Sequence, residues 1–289
     1  MKVLLLVALA LTAFAANSIL NRLALTASAI DPVSFTAIRI ASGALMLVAI
    51  VWARARWMRS TGRAVPAGQG SVISALALLI YALLFSLAYV SLTAATGALL
   101  LFGAVQISML SWTLLRGARL TGLAWAGFAL ALAGLVWLLM PGLARPPLVE
   151  ALLMIGAGIA WAIYTLRARS GGDPIASTAG NFLIAAVPAV SLAGGLWATS
   201  SWDSTGLVLA IISGSLASGL GYVVWYAALA SIRTQTAAVA QLLVPVMTAL
   251  AGVLFLAEAL SLRLALSGAV ILGGIFLVIA PWRSRIDGP

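Results

Sequence analysis

Thr234 to Leu256 reads TQTAAVAQLLVPVMTALAGVLFL, with no charge anywhere along it. A helix rises 1.5 Å per residue, so about 20 apolar residues cross the roughly 30 Å of a bilayer's hydrocarbon, and a helix satisfies its backbone groups internally. The stretch therefore predicts a transmembrane helix. Working outward from it, nine more stretches of the same kind appear: Val3 to Leu25, Val33 to Trp52, Ser71 to Val90, Ala94 to Leu115, Leu120 to Met140, Leu148 to Leu166, Gly180 to Ala198, Leu207 to Leu229 and Leu264 to Ile279. Composition agrees, because 64% of residues are hydrophobic, 8% are charged and the mean hydropathy is +1.17, which leaves too little polar surface for a soluble fold. A transmembrane barrel would show alternating segments of about ten residues, and none is seen. The predicted fold is an all-α membrane protein of ten transmembrane helices.

Orientation follows from Lys and Arg in short loops. With the amino terminus inside, the cytoplasmic side collects Lys2, Arg54, Arg56, Arg59, Arg63, Arg116, Arg119, Arg167, Arg169, Arg233, Arg283 and Arg285, against Arg145 and Arg263 outside. Both termini are thus expected in the cytoplasm, in a bacterial-type inner membrane. The net charge of +10 is explained by this topology and by anionic lipid, so no nucleic-acid partner is expected. Lys2, the run from Val3 and Ala13-Phe14-Ala15 also mimic a cleavable signal peptide. Cleavage would leave nine spans and destroy the symmetry described next, so the run is read as a span. Ala53 to Gly70, with four arginines, Gly62, Pro66, Ala67 and Gly68, reads as a cytoplasmic linker.

At a shift of about 140 residues, Thr96–Arg119 overlays Thr236–Ala259, and Gly134 with Pro141 overlays Gly274 with Pro281. Five spans per half is an odd number, so the second copy enters the membrane from the opposite side. The expected organisation is two inverted five-helix repeats, 1–141 and 148–281, around a central cavity, followed by a cytoplasmic tail at 282–289. Secondary transporters use this organisation for alternating access. Small residues at helical spacing predict close packing: Gly214 with Ser218, Ser215 with Gly219, Gly127 with Gly134. Pro188 and Pro245 fall near the middle of their spans and are candidate hinges.

Against these features stands a resemblance. Gln241 to Ser261, QLLVPVMTALAGVLFLAEALS, resembles the carboxy-terminal helix signature of the drug/metabolite transporter superfamily, EamA-type, with Pro245, Gly252, Glu258 and Leu260 at its Pro, Gly, Glu and Leu positions. Ile155 to Arg169 resembles the helix that opens the second repeat, Gly221 to Leu229 the eighth helix, and Asn17 and Pro32 to Arg39 also match. The first half departs from the pattern: Gly103 and Val105 stand where a Pro is expected, and Gly117, Ala118 and Arg119 replace the Gly-Glu motif. Within the superfamily the chain looks most similar to aromatic amino-acid exporters of the YddG kind. The resemblance implies a secondary transporter exporting small amphiphilic metabolites, aromatic and other apolar amino acids first, and working as a monomer. A multidrug or other metabolite carrier of the same superfamily is the alternative.

Substrate-binding candidates follow from residue type and depth. Tyr81, Phe85 and Tyr89 share one helix face, as do Trp161 with Tyr164 and Tyr222 with Tyr226; such rings suit aromatic or apolar amino acids, or else mark the lipid interface. For Tyr89, near a span end, the interface is the expected place. Asn17, Gln106, Ser218 and Gln241 are polar groups inside spans, able to bind substrate or to bridge helices. Arg22 and Arg39 lie towards the outer ends of their spans; pairing with Asp31, Glu258 or carbonyls is expected, and contact with a substrate carboxylate is the alternative. The acids Asp31, Glu150, Asp173, Asp203, Glu258 and Asp287 all fall in loops or at span ends. With no His and no acid at membrane depth, exchange or facilitated diffusion is expected rather than tight proton coupling. The chain has no Cys and no G-x-x-x-x-G-K-[ST] loop, and the spans hold no nucleophilic or acid/base constellation. Neither an enzyme nor a bound cofactor or metal is expected.

Overall fold

The computed structural model describes residues 2–64, 68–117, 121–140, 146–167, 172–232 and 234–279. Pro66, Ala67, Ala118, Arg119, Pro141, Arg145, Arg169, Arg233, Pro281, Arg283, Arg285, Asp287 and the tail from 282 lie outside the described residues. Ten long apolar helices are present among them: α1 Lys2–Ala27, α2 Pro32–Ser60, α3 Val72–Tyr89, α4 Ala94–Leu115, α5 Gly122–Leu139, α6 Leu148–Arg167, α7 Pro174–Gly195, α8 Ser204–Leu229, α9 and α10 Leu262–Ile279. The ninth is in two pieces, Thr234–Gln241 and Leu243–Leu256.

Local chemistry sets the starts of these helices. Asp31 accepts the Val33 and Ser34 amides, both at 2.9 Å, with Pro32 in the first turn of α2. At the matching place in the second half, Asp173 accepts the Ala176 amide with Pro174 in the first turn of α7. An acidic cap satisfies amides that have no helical partner and complements the helix dipole, while Pro has no amide to lose there. This cap starts α7 at Pro174, ahead of the Gly180 expected from hydropathy alone. Burial works against the Asp31 carboxylate, but hydrogen bonds from Ser34, Ser201 and Val33 outweigh it and hold its pKa below the usual carboxylate value. The loop expected over Ala53 to Gly70 is also corrected, since α2 continues to Ser60 through residues with good helix propensity.

Large apolar side chains cover the outer surface as well as filling the core, while many polar side chains of the helices are turned inward. Leu4, Leu45, Val187, Leu254 and Phe255 are exposed, whereas Asn17, Ser18, Asn21, Thr36, Arg39, Ser86, Ser213 and Ser218 are buried. That arrangement suits lipid as the surrounding solvent. α3 packs on α6, α2 on α7, α5 on α10, α4 on α6 and α9, and α1 on α8 and α9. Adding five to each helix number, and counting past ten back to one, exchanges the α3–α6 contact with α1–α8, and α4–α6 with α1–α9. Glycines permit the closest approaches. A Cβ at Gly127 would stand 2.6 Å from the Gly274 carbonyl, and one at Gly214 would run into that of Arg39.

Candidate functional site

Four helices, α4, α6, α8 and α9, enclose a cavity of about 410 Å3 lined by Gln106, Met109, Trp161, Tyr164, Tyr222, Trp225, Tyr226 and Gln241. It extends to the end of the bundle where α6 and α8 finish and α7 and α9 begin, as Thr165, Pro174, Leu229 and Ala237 in its wall indicate. Towards the other end it narrows to a cleft of about 30 Å3 between Phe14, Asn17, Tyr81, Phe85, Phe102 and, again, Trp161, Tyr222 and Gln241. The Trp161 ring lies 4.8 Å from Tyr81 and 5.4 Å from both Tyr164 and Tyr222, centroid to centroid. These rings form a layer dividing cavity from cleft. Aromatic contacts of this kind are worth about 0.5–1.5 kcal/mol beyond area burial.

Two helices are irregular beside this layer. α9 breaks at Leu242 because Pro245 has no amide to donate to the Gln241 carbonyl one turn back, so an acceptor is released where Gln241 faces both spaces. α8 widens to a π-helix over Ser213–Leu220. Such widenings recur at functional sites. Here the widened turn presents Ser213, which donates to Asn17 Oδ1 at 2.6 Å, and Ser218, which accepts from Asn17 Nδ2 at 3.3 Å. Gly214 lets α2 press against the same turn and brings Arg39 alongside.

Arg39 is 2% exposed. Its Nε donates to Ser218 Oγ at 3.4 Å and its Nη2 to the Tyr81 hydroxyl at 3.2 Å, while Nη1 has no hydrogen-bond partner. The guanidinium lies 5.5 Å and 5.2 Å from the Tyr81 and Phe85 ring centroids. A charge inside a span costs roughly 2.5–3.5 kcal/mol near a helix centre and less towards its end; cation–π contact offsets part of that. The expected pairing of Arg39 with Asp31 or Glu258 is not formed: Asp31 is engaged in capping α2, and Glu258 is bound by another arginine.

That other arginine is Arg22. Its Nε meets Glu258 Oε1 at 3.0 Å, and its Nη1 donates to the carbonyls of Tyr89 and Val90. Glu258 Oε2 in turn accepts the Ala94 amide at 2.8 Å. One ion pair thus ties α1, the α3–α4 junction and the end of α9 together at the end opposite the wide cavity. Ala257 takes a left-handed conformation with φ of 51°, which turns Glu258 back over Gly252, where a Cβ would lie 3.1 Å from its carboxylate. Gly252 and Glu258, two positions of the helix signature, thus meet in space: glycine makes room for the carboxylate that bonds Arg22.

Residues 148–280 match the EamA-like transporter family. Uncharacterized protein PA1977 of Pseudomonas aeruginosa is 52% identical over 284 residues, which is 98% of this chain and 96% of that protein. The chain belongs to the EamA-like transporter family. With its ten apolar helices it is a multi-pass membrane protein of that transporter family. The uncharacterized transporter YwfM of Bacillus subtilis is 28% identical, covering 91% of this chain and 89% of its own, and an uncharacterized transporter of Archaeoglobus fulgidus is 27% identical, covering 87% and 89%. A solved crystal structure 20% identical in sequence superposes with a TM-score of 0.63 over 94% of this chain and 96% of its own, so it shares the fold.

Within this EamA-like chain, Tyr81, Phe85, Trp161, Tyr222, Asn17 and Gln241 converge on the cleft, and Gln106 joins Trp161, Tyr164, Tyr222 and Gln241 on the wide cavity. Ser218 lies behind them, holding Asn17 and Arg39. Pro188 is apart, on the exposed face of a continuous α7. Tyr89, expected at the lipid interface, is instead 0% exposed: its ring lies edge-on to Phe85 and fills the notch at Gly97, and its hydroxyl donates to the Ala94 carbonyl. Ser213 and Phe14 were not singled out by sequence. Asn17 and Asn21, one turn apart on α1, were a signal for a buried polar face, and Asn21 indeed donates to Ser86 at 3.2 Å.

Proposed function

We propose that this chain is an exporter of small amphiphilic metabolites, aromatic and other apolar amino acids first among them, working by alternating access as a monomer. The observation that carries the reading is the aromatic-walled cavity of about 410 Å3, continuous with one end of the bundle, while an ion pair closes the other. Pockets of roughly 300–1,000 Å3 suit small ligands, and rings with hydroxyl tips beside primary amides suit a molecule with an apolar body and a polar head. The end reached by the cavity carries Lys2, Arg54, Arg116 and Arg167, so on the positive-inside rule it is cytoplasmic, and the cavity takes substrate from inside a bacterial-type inner membrane. The exchange of helix contacts on adding five supports two inverted repeats, 1–141 and 148–281, that rock against each other. Among the described residues the acids lie at helix ends or in loops, which favours exchange or facilitated diffusion over tight proton coupling.

Trp161 separates the reading from its rivals because it touches both spaces. Trp161→Ala, in proteoliposomes, should lower counterflow of radiolabelled L-tryptophan or L-phenylalanine about tenfold or more and that of L-alanine about twofold or less, since the lost stacking belongs to the ring. Equal loss of both, or wild-type flux of both, removes the ring pocket from the mechanism.

A further inference from the structure

The two arginines that lie inside spans have opposite surroundings. Arg22 is saturated by Glu258 and two backbone carbonyls. Arg39, seven residues into α2 and so about 10 Å from its start, meets only neutral hydroxyls, at 3.2 and 3.4 Å, and has Nη1 unpartnered. Every carboxylate among the described residues is occupied elsewhere: Asp31, Asp173 and Asp203 cap helices, Glu150 accepts from Ser91, and Glu258 holds Arg22. A guanidinium is a permanent charge with a planar fork of donors that matches a carboxylate. Burying one without a counter-ion is unfavourable unless something supplies the anion.

Position says what supplies it. Arg39 stands directly behind Asn17, Tyr81 and Phe85, three of the residues that line the cleft, and the two rings hold its guanidinium by their faces. We propose that Arg39 is an anion-recognition site of the transport path, its free Nη1 edge receiving the carboxylate of a substrate whose apolar body is held at Trp161. The proposal rests on the transport reading above and adds to it that the substrate class is a carboxylate. The cleft of about 30 Å3 has room for little more than a water. The anion therefore reaches Nη1 only when the Tyr81–Trp161 layer parts, which couples recognition of the acid group to the change of access.

The test compares acids with their uncharged or cationic analogues on the purified full-length protein. 3-Phenylpropanoate and L-phenylalanine should raise the apparent melting temperature by several degrees at millimolar concentration, whereas L-phenylalaninamide and phenethylamine should not. Arg39→Met should abolish the shift and lower L-phenylalanine counterflow tenfold or more, and Arg39→Lys, which keeps the charge and loses the fork, should retain part of both. Equal stabilisation by acid and amide, no shift with any acid in an aromatic and aliphatic carboxylate panel, or flux within twofold of wild type in Arg39→Met would each overturn the site. An acid-specific shift that depends on Arg39, in a protein that moves none of these probes across proteoliposomes, would uphold the site and sink the transport reading. Should Arg39→Met fail to fold, the acid-against-amide comparison on the wild type and the lysine variant decide.

Discussion

α4 and α9 carry overlapping sequence patterns, Thr96 onward against Thr236 onward, yet one is an unbroken helix and the other is snapped at Leu242. The difference comes down to neighbours. In α4, Val105 occupies the place of Pro245, and α6 packs tightly there: a Cβ on Gly158 would stand 2.7 Å from the Leu101 carbonyl and 3.3 Å from the Val105 amide. A proline ring in α4 would have to bend the helix against a surface that leaves no room. In α9 the break is accommodated beside the cavity, whose wall includes Gln241. The ends differ as well. α9 is followed by Glu258, which bonds across to Arg22 and Ala94, whereas the first half reads Gly117-Ala118-Arg119 with no carboxylate at the corresponding end. On the proposed repeat, the first half supplies an unbroken helix and the second a broken one tied by Glu258, and the open cavity lies at the end away from that ion pair.

The sharpest way to break that comparison is Val105→Pro, which imposes the α9 chemistry on α4. An interior proline costs about 3 kcal/mol, so this variant should show the largest fall in apparent melting temperature and yield. A wild-type melting curve would mean that the α4–α6 contact yields and the halves are interchangeable. Next in size is Glu258→Gln, which leaves Arg22 without its charged partner; hydrogen bonds to charged groups are worth about 1.5–3 kcal/mol. Since the chain has no cysteine, a lone cysteine at Ser86 reports the outer end directly. Its labelling by a membrane-impermeant maleimide from the Arg22 side should rise at least fivefold in Glu258→Gln, and unchanged labelling would show that the ion pair is not the seal.

Pro245→Ala restores a donor for the Gln241 carbonyl. It should leave stability unchanged or raise it by about 1 kcal/mol while slowing counterflow several-fold, because α9 loses its joint; full activity would remove the break from the mechanism. The smallest expected effect belongs to the capping pair that starts α2 and α7. Asp31 has a folded-state pKa below its unfolded value, so its stabilisation is fully present above the unfolded value of 3.8 and is lost as pH falls through the folded one. Asp31→Asn should lose about 1 kcal/mol or less at neutral pH, Asn being itself a good cap. The acid-side drop in melting temperature should be shallower in the variant, and parallel curves for the two proteins would exclude Asp31 from the acid transition.

Much of the helical frame was legible because the hydrocarbon thickness imposes a length and the apolar runs meet it. Tyr81, Trp161, Gln106 and Gln241 were legible for a related reason: a polar or ring-and-hydroxyl side chain at membrane depth needs an interior partner. What could not be read was which partner each one takes. Tyr89 lies near a span end, where interface and interior look alike in sequence, and the Gly97 notch that buries it is a matter of how α3 turns into α4. The π widening of α8 lies where α2 packs against Gly214, a contact between residues far apart in the chain. Arg22 and Arg39 read alike in sequence, and only the left-handed turn at Ala257, which swings Glu258 towards one of them, sets them apart.

The Gly127–Gly274 contact lies in the α5–α10 pair, whose residues line neither the wide cavity nor the cleft. With backbones approaching so closely that not even a methyl group fits, a substitution there separates the helices before it alters anything a substrate touches. A cell would register such a mutation as fewer copies of the protein surviving quality control, not as a changed preference. A genetic selection for new substrates should therefore return mutations around Trp161 and leave this pair blank, while a screen for abundance should find it first.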